Sequence, residues 1–319
     1  MPPDWLTTLG LIAATLASVA ACIAALRRTL GKAEHGKLQR IERGGVLTVV
    51  VLCGAVFVYR AVLVHQGWEP LSSHVDGLTL LAALLAAVVA YLQWADRLRG
   101  VDVFALPVLT VITLWGVCAS WWTLREFEIS TVWFRIHLWA IYLSTLSIAT
   151  AAAAGALYLY VDRQMRSKDH RRERLKRLGR LGNLESIESG IVVAASAGFV
   201  LLTIALPTGG VVLSDEGQLH TGWWYTPKVL LAVAVWLIFA VVMHVRYVPT
   251  FRGRRAAVLS IIGFVLLMTS MGFALGSTAD EQSTPQIVQP SPPETHPTSR
   301  DREGAVMRRA DARLSGGSA

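Results

Sequence analysis

Charge is scarce in this chain. Charged residues occupy 16% of its 319 positions and hydrophobic ones 53%, with a mean hydropathy of +0.48. An ordinary soluble domain carries about a quarter charged residues, so an exposed polar surface of normal extent is excluded. Cysteine is scarcer still. Cys22, Cys53 and Cys118 all fall inside apolar runs, and no C-x-x-C or C-x-x-C-H occurs. That excludes a dithiol oxidoreductase and a chain that is itself a c-type cytochrome. Also missing are G-x-x-x-x-G-K-[ST], G-x-S-x-G and H-E-x-x-H, so an ATP-driven pump or a membrane hydrolase has no visible centre. No convincing inverted repeat marks a secondary transporter.

What the chain does have is apolar residues in blocks of about twenty, the length that crosses a ~30 Å hydrocarbon core as a helix. Eight such blocks are expected to span: Trp5–Leu26, Gly45–Val64, His74–Trp94, Val103–Trp121, Val132–Val161, Ile187–Leu206, Val229–Val245 and Ala256–Leu275. The fold class is therefore all-α, a polytopic membrane helical bundle of about eight transmembrane helices. Basic residues set its orientation, because Lys and Arg are retained on the cytoplasmic side. Of 30 such residues, 21 lie in segments 27–43, 97–99, 163–180 and 246–255, which alternate onto one side. The short loops of the other side hold only Arg125 and Lys228. Both termini are placed outside a bacterial cytoplasmic (inner) membrane, with an uncleaved first span. The net charge of +8 follows from this topology, so membrane lipid is an expected partner and nucleic acid is not.

Residues 1–276 thus form an eight-span membrane domain. The tail 277–319, rich in Pro, Ser, Thr, Gly and mixed charge, buries too little apolar surface to offset its ordering entropy and is expected to be a disordered extracytoplasmic tail. The loop "DRQMRSKDHRRERLKRLGRLGNLES" has the composition of a basic amphipathic helix on anionic lipid, although retention of positive charge on that side explains it as well. Small residues in "ATAAAAGALYLY" allow close helix approach.

Ionisable groups inside spans are costly and mark candidate sites. Arg60 and His65 close the second span on the outer side, His74 and Asp76 open the third there, and Arg135 and His137 lie one to two turns into the fifth. His244 stands alone near the inner face. Next to the outer group the chain places His220, Trp223, Trp224, Tyr225 and Lys228, together with Trp121, Trp122 and Arg125. Taken singly, each has an ordinary reading: interfacial aromatics, arginines Arg60 and Arg135 snorkelling outward, a hydrogen-bonded structural histidine. Taken together, imidazoles, indole faces and cations suit an iron porphyrin, with nitrogen on the iron and Arg or Lys on the propionates.

The run "WWYTPKVLLAVAVWLIFAVVMHVRYVPTFRGRRAAVLSIIGF" then resembles the integral membrane cytochrome c assembly proteins of the CcsA/ResC type and their HemX-like relatives, whose tryptophan-rich "WWD" loop precedes a span with an internal Trp and then H-x-R…G-W-R-G-R-R-A-A. Trp223, Trp224, Pro227, Lys228, Trp236, His244, Arg246 and "RGRRAA" fall in place. "LESIESGIVVAASAGFVLLTIALPTGG" is similar to the family's L-E-x-L…G-F-x-L-L-T-x-G-L-x-T-G span, "FRIHLWAIYLSTLSIATAAAAGALYLY" to its histidine-bearing span, and "PLSSHVDGLTLLAALLAAVVAYL" to P-L-x-N-x-x-E-S-L. The likeness covers about 67–275. It implies an outer axial haem ligand at His137, a haem site lined by Trp223, Trp224 and Lys228, and a haem within the membrane served by His244. His137 and His244 are thus the expected ligands of haem iron, Arg135 and Lys228 the expected propionate cations, and His74 or His65 the expected second ligand by depth.

Three departures mark the motif as degenerate. Thr226 stands at the family's Asp, Val229 at its Glu, and "FALGSTADEQ" carries no histidine after the last span. The resemblance implies a haem b-binding membrane protein of cytochrome c maturation, an assembly factor rather than a catalyst. Its expected partners are haem, a second assembly subunit and a periplasmic apocytochrome c. The departures leave a second reading open, a HemX-like scaffold or regulator of haem biosynthesis without a haem site. A small-solute transporter rests on span count alone.

Overall fold

The fold, obtained as a computed structural model, describes residues 5–30, 35–64, 70–95, 100–121, 131–166, 184–215, 225–244 and 253–283. Hydrocarbon offers no hydrogen-bond partners, so each apolar block satisfies its backbone internally as a helix. Among the described residues eight helices result: α1 (Trp5–Leu30), α2 (His35–Tyr59), α3 (His74–Ala95), α4 (Asp102–Trp121), α5 (Val132–Arg166), α6 (Leu184–Asp215), α7 (Pro227–His244) and α8 (Arg254–Ser283). No strand occurs among the described residues. Among the described residues seven helices are long and apolar enough to cross a membrane. The apolar run of α7, Val229–His244, is shorter; its 16 residues make about 24 Å at ~1.5 Å per residue. The chain is a multi-pass membrane protein with an all-α helical bundle.

Several helices exceed their expected spans because polar residues continue them past the apolar block. The polar segment 35–44, expected as part of a loop, is helical and continuous with α2. Helix α6 begins at Leu184 and runs to Asp215, where the apolar pattern predicts an end at Leu206. Helix α8 continues to Ser283, so the first residues of the expected tail are helical; residues 284–319 lie outside the described residues. So does the expected amphipathic loop helix, apart from the end of α5, where Arg166 bonds Asp162 one turn back at 3.0 Å.

Two successive groups of four helices share one pattern of neighbours. In the first, α1 packs on α2 and α4, and α3 packs on α2 and α4. In the second, α6 packs on α5 and α7, and α8 meets both α5 and α7. A Cβ on Gly155 of α5 would lie 2.9 Å from the Ala257 carbonyl oxygen of α8, and one on Gly263 of α8 only 2.5 Å from the Phe239 ring of α7. The expected small-residue contact is real: Ala149, Ala151, Ala152, Ala153 and Ala154 are buried on α5. Helix α5 joins the groups through α3 and α4.

At the end carrying the basic segments, one charged knot ties the first four helices. Arg28 of α1 reaches Asp102 of α4 at 2.5 Å and Glu42 of α2 at 3.3 Å, while Gln93 of α3 donates to Glu42 at 2.9 Å. Glu42 is 1% exposed, and a carboxylate there is tolerable only with these partners. Many serine and threonine hydroxyls within the spans donate to carbonyls one turn back, as Thr15 does to Leu11 and Thr79 to Val75, so these groups need no partner from the lipid.

The contact at Gly155 is backbone against backbone and cannot yield. Gly155→Ala is expected to lower stability by about 1–3 kcal/mol, read from thermal unfolding in mild detergent. Gly54→Ala, where a Cβ meets nothing within 4 Å, is expected to be neutral or slightly stabilising in the same assay.

Candidate functional site

The end of the bundle opposite the charged knot gathers most of the candidate residues. His137 lies in the second turn of α5, half-buried, and its Nδ1 meets the carbonyl oxygen of Ala205 on α6 at 2.8 Å. A carbonyl oxygen has no proton, so Nδ1 carries the N–H, and the neutral ring presents its lone pair at Nε2. Gly209 of α6 makes room for the ring: a Cβ there would lie 2.8 Å from Cε1 of His137. The next residue, Gly210, faces open space, with nothing within 4 Å of an added Cβ. Pro207, in the same turn, has no N–H for the Thr203 carbonyl and crowds it, which loosens the helix here. Arg135 is exposed, in keeping with a snorkelling side chain.

Arg60 behaves otherwise. Snorkelling predicts exposure, yet Arg60 is 9% exposed. Its Nε donates to Asp76 Oδ1 and its Nη2 donates to Ser73 Oγ at 3.1 Å. The reason is local. Helix α2 ends in a π-helical turn, Arg60–Val64, and α3 starts with Ser73 as its cap. Ser73 Oγ accepts from the Asp76 N–H at 3.3 Å and donates to Asp76 Oδ2 at 2.9 Å. Leu71, buried with φ of 70°, shapes the approach. An arginine beside the positive end of a helix needs an acidic partner, and Asp76 in the first turn supplies it.

His74, partly buried, follows this cap directly. One turn further, a Cβ on Gly77 would land inside the Tyr142 ring of α5, so α3 and α5 touch there. His74 lies three residues and His137 five residues from that contact, about 4.5 and 7.5 Å towards the same end. The two histidines therefore sit at similar depth on touching helices. Their faces differ: positions 137 and 142 are about 140° apart around α5, so His137 addresses α6 while Tyr142 addresses α3.

His244 belongs to another level. It is the last residue of α7, about 24 Å along the axis from Lys228 at ~1.5 Å per residue. It is exposed, and its Nδ1 meets the Ala240 carbonyl of its own helix at 3.0 Å. Between the levels, Trp236 stacks on Phe199 with centroids 5.6 Å apart, and its indole N–H donates to Thr203 Oγ1 at 2.9 Å. The apolar pattern marks α7 as a span but does not reveal that its tryptophan is bonded to α6. Trp223, Trp224, His65, His220, Trp122 and Arg125 lie outside the described residues. Lys228 stands in the first turn of α7 with its side chain also outside them, and Tyr225 beside it is 80% exposed. No group of three or more His, Cys, Asp or Glu that could hold a bare metal ion occurs among the described residues.

The family described as Cytochrome C assembly protein matches residues 125–276, a stretch that takes in His137, α6 and His244. Among curated relatives, the cytochrome c biogenesis protein CcsA of Heterosigma akashiwo is 22% identical over 235 residues, 64% of this chain and 72% of that protein. CcsA of Guillardia theta is 21% identical over 237 residues, 69% of this chain and 76% of its own. CcsA of Mesostigma viride is 39% identical over a shorter stretch of 70 residues, 22% of each chain. No solved structure matches. The protein is an integral membrane helical bundle, and just under half of it, residues 125–276, is similar to the cytochrome c assembly proteins.

The Arg60–Asp76 pair is expected to hold α2 to α3. Asp76→Ala strands a buried guanidinium and should cost about 3–5 kcal/mol in detergent melts. The double variant Arg60→Met with Asp76→Leu should recover most of that loss, and a double variant as unstable as the single one would contradict this account.

Proposed function

We propose that this protein binds haem b at the end of the bundle where His137 lies and presents it for cytochrome c maturation. The observation that carries this reading is the orientation of His137. Its Nδ1–H is committed to the Ala205 carbonyl, the arrangement by which proteins fix an imidazole with Nε2 as the ligand nitrogen. Around it, Gly209 leaves a flat surface and Gly210 an open one, and α6 ends at Asp215 and α7 begins at Pro227 towards that end. On this reading His137 would hold the iron, Trp223 and Trp224 would face the macrocycle, Arg135 and Lys228 would pair with the propionates, and His74, at similar depth on α3, would be the candidate second ligand. The iron porphyrin supplies only the prosthetic group to be transferred. The chain's part is to capture, orient and release it, since its three cysteines, Cys22, Cys53 and Cys118, lie inside the spans and offer no thioether chemistry.

The asymmetry of basic residues supports placing the His137 end outside the cytoplasm, with both termini on that side, in a bacterial inner membrane or its equivalent. His244 then serves haem near the inner face. A second assembly subunit and an apocytochrome c on the outer side are the partners this reading requires. The names of the relatives, cytochrome c biogenesis protein CcsA, support the same process. One observation favours a second reading. Thr226 and Val229 stand where the family has acidic residues, and "FALGSTADEQ" at the end of α8 carries no histidine, as in a HemX-like scaffold or regulator of haem biosynthesis that has lost its haem.

The deciding measurement is the absorption spectrum of the purified protein, oxidised and dithionite-reduced, with His137→Ala and His244→Ala. A Soret band with sharp reduced α and β peaks, abolished by His137→Ala and retained in His244→Ala, is the expected result. A colourless protein that takes up no added haemin would favour the regulator.

A further inference from the structure

The family's histidine-facing span carries the pattern L-L-T-x-G-L-x-T-G, met here as "LLTIALPTG", and the structure gives its last two residues work to do. Thr208 is buried, and its hydroxyl reaches the Ile204 carbonyl at 2.8 Å and the Ala205 carbonyl at 3.0 Å. The second of these is the oxygen that accepts from His137 Nδ1 at 2.8 Å. Gly209 lies against the imidazole itself, an added Cβ falling 2.8 Å from Cε1, 3.1 Å from Nδ1 and 3.6 Å from Nε2. Two glycines stand side by side, yet a Cβ on Gly210 meets nothing, so helix geometry alone does not call for glycine at 209. The ring does.

We propose that Thr208, Gly209 and the Ala205 carbonyl are the positioning residues of His137, holding its imidazole in one tautomer and one orientation so that Nε2 faces the open side of α6. Gly209 sets how close the ring approaches. The Ala205 carbonyl sets which nitrogen carries the proton. Thr208 ties that carbonyl to its own turn, next to Pro207, where the helix ladder is interrupted. None of the three touches the iron. They act through His137, and their role as ligand supports rests on the haem reading above.

The test uses the full-length protein in mild detergent and two readouts. The first needs no haem: 15N NMR of histidine-labelled protein, with the His137 signals identified by their loss in His137→Gln. The wild type is expected to show Nδ1 protonated and Nε2 bare, whereas Gly209→Ala should show a tautomeric mixture. The second is titration with haemin, followed in the Soret band. Loss of an outer partner of a metal-ligating histidine weakens binding 10- to 100-fold, so Gly209→Ala and Thr208→Val should both bind haemin at least tenfold more weakly. Gly210→Ala and Thr208→Ser, which keep the contacts, should match the wild type. Thr208→Val inserts no bulk towards the ring and serves where Gly209→Ala fails to fold. Wild-type tautomer and affinity in both variants would overturn the positioning role. A wild type that binds no haemin, with the tautomer still lost in Gly209→Ala, would overturn the haem reading while leaving the orientation of the ring intact.

Discussion

Polar groups in the spanning part of this chain gain hydrogen-bond partners only from the protein, because hydrocarbon supplies none. The rest of the structure follows from that constraint. Hydroxyls turn back to their own helices, as Thr15, Thr79 and Thr208 do. The groups that cannot be satisfied within one helix become the joints between helices: Arg28 with Glu42 and Asp102, Arg60 with Asp76, Trp236 with Thr203, His137 with Ala205. Apolar packing brings the helices near one another, and the polar joints decide their register and facing.

Seen this way, the two ends of the bundle differ in kind. At the basic end the joint is ionic, with Arg28 and Gln93 both donating to Oε1 of Glu42. At the other end the Arg60 joint is ionic too, with both oxygens of Asp76 bonded, but the His137 joint is one-sided. It uses one nitrogen of an imidazole whose second nitrogen is equally capable of bonding. A residue placed only to fasten α5 to α6 would need a single donor, and a serine serves that purpose a little deeper, where Ser144 donates to the Gly198 carbonyl at 3.0 Å. The choice of a two-nitrogen side chain at 137 is what separates a candidate site from a fastening.

Much of the fold was legible because it depends on length and hydropathy alone. Apolar blocks gave eight helices, and small residues in "ATAAAAG" announced a close approach that Gly155 and Ala257 realise. Helix ends were less legible, since polar residues such as those of 35–44 have no need of lipid and continue a helix freely. The histidine-bearing positions were legible as costly groups, and their partners were not. Arg60 reads as a snorkelling arginine until the π-helical turn and the Ser73 cap bring Asp76 to it. Nothing in the spacing of residues 60 and 76 foretells that meeting. Similarly, Gly209 and Thr208 read as motif letters, and their contact with His137 appears only once α5 and α6 lie side by side.

The repeated pattern of neighbours has a consequence for how such a chain is put together. Each group of four helices starts and finishes on the same side of the bilayer, and residues 122–130 join one group to the other in sequence. Each four-helix module can therefore insert without waiting for the other, and the order in which they enter leaves the final topology unchanged. A gene interrupted at that connection would yield two polypeptides that meet again only by lateral diffusion, docking along the surfaces that α3 and α4 offer to α5.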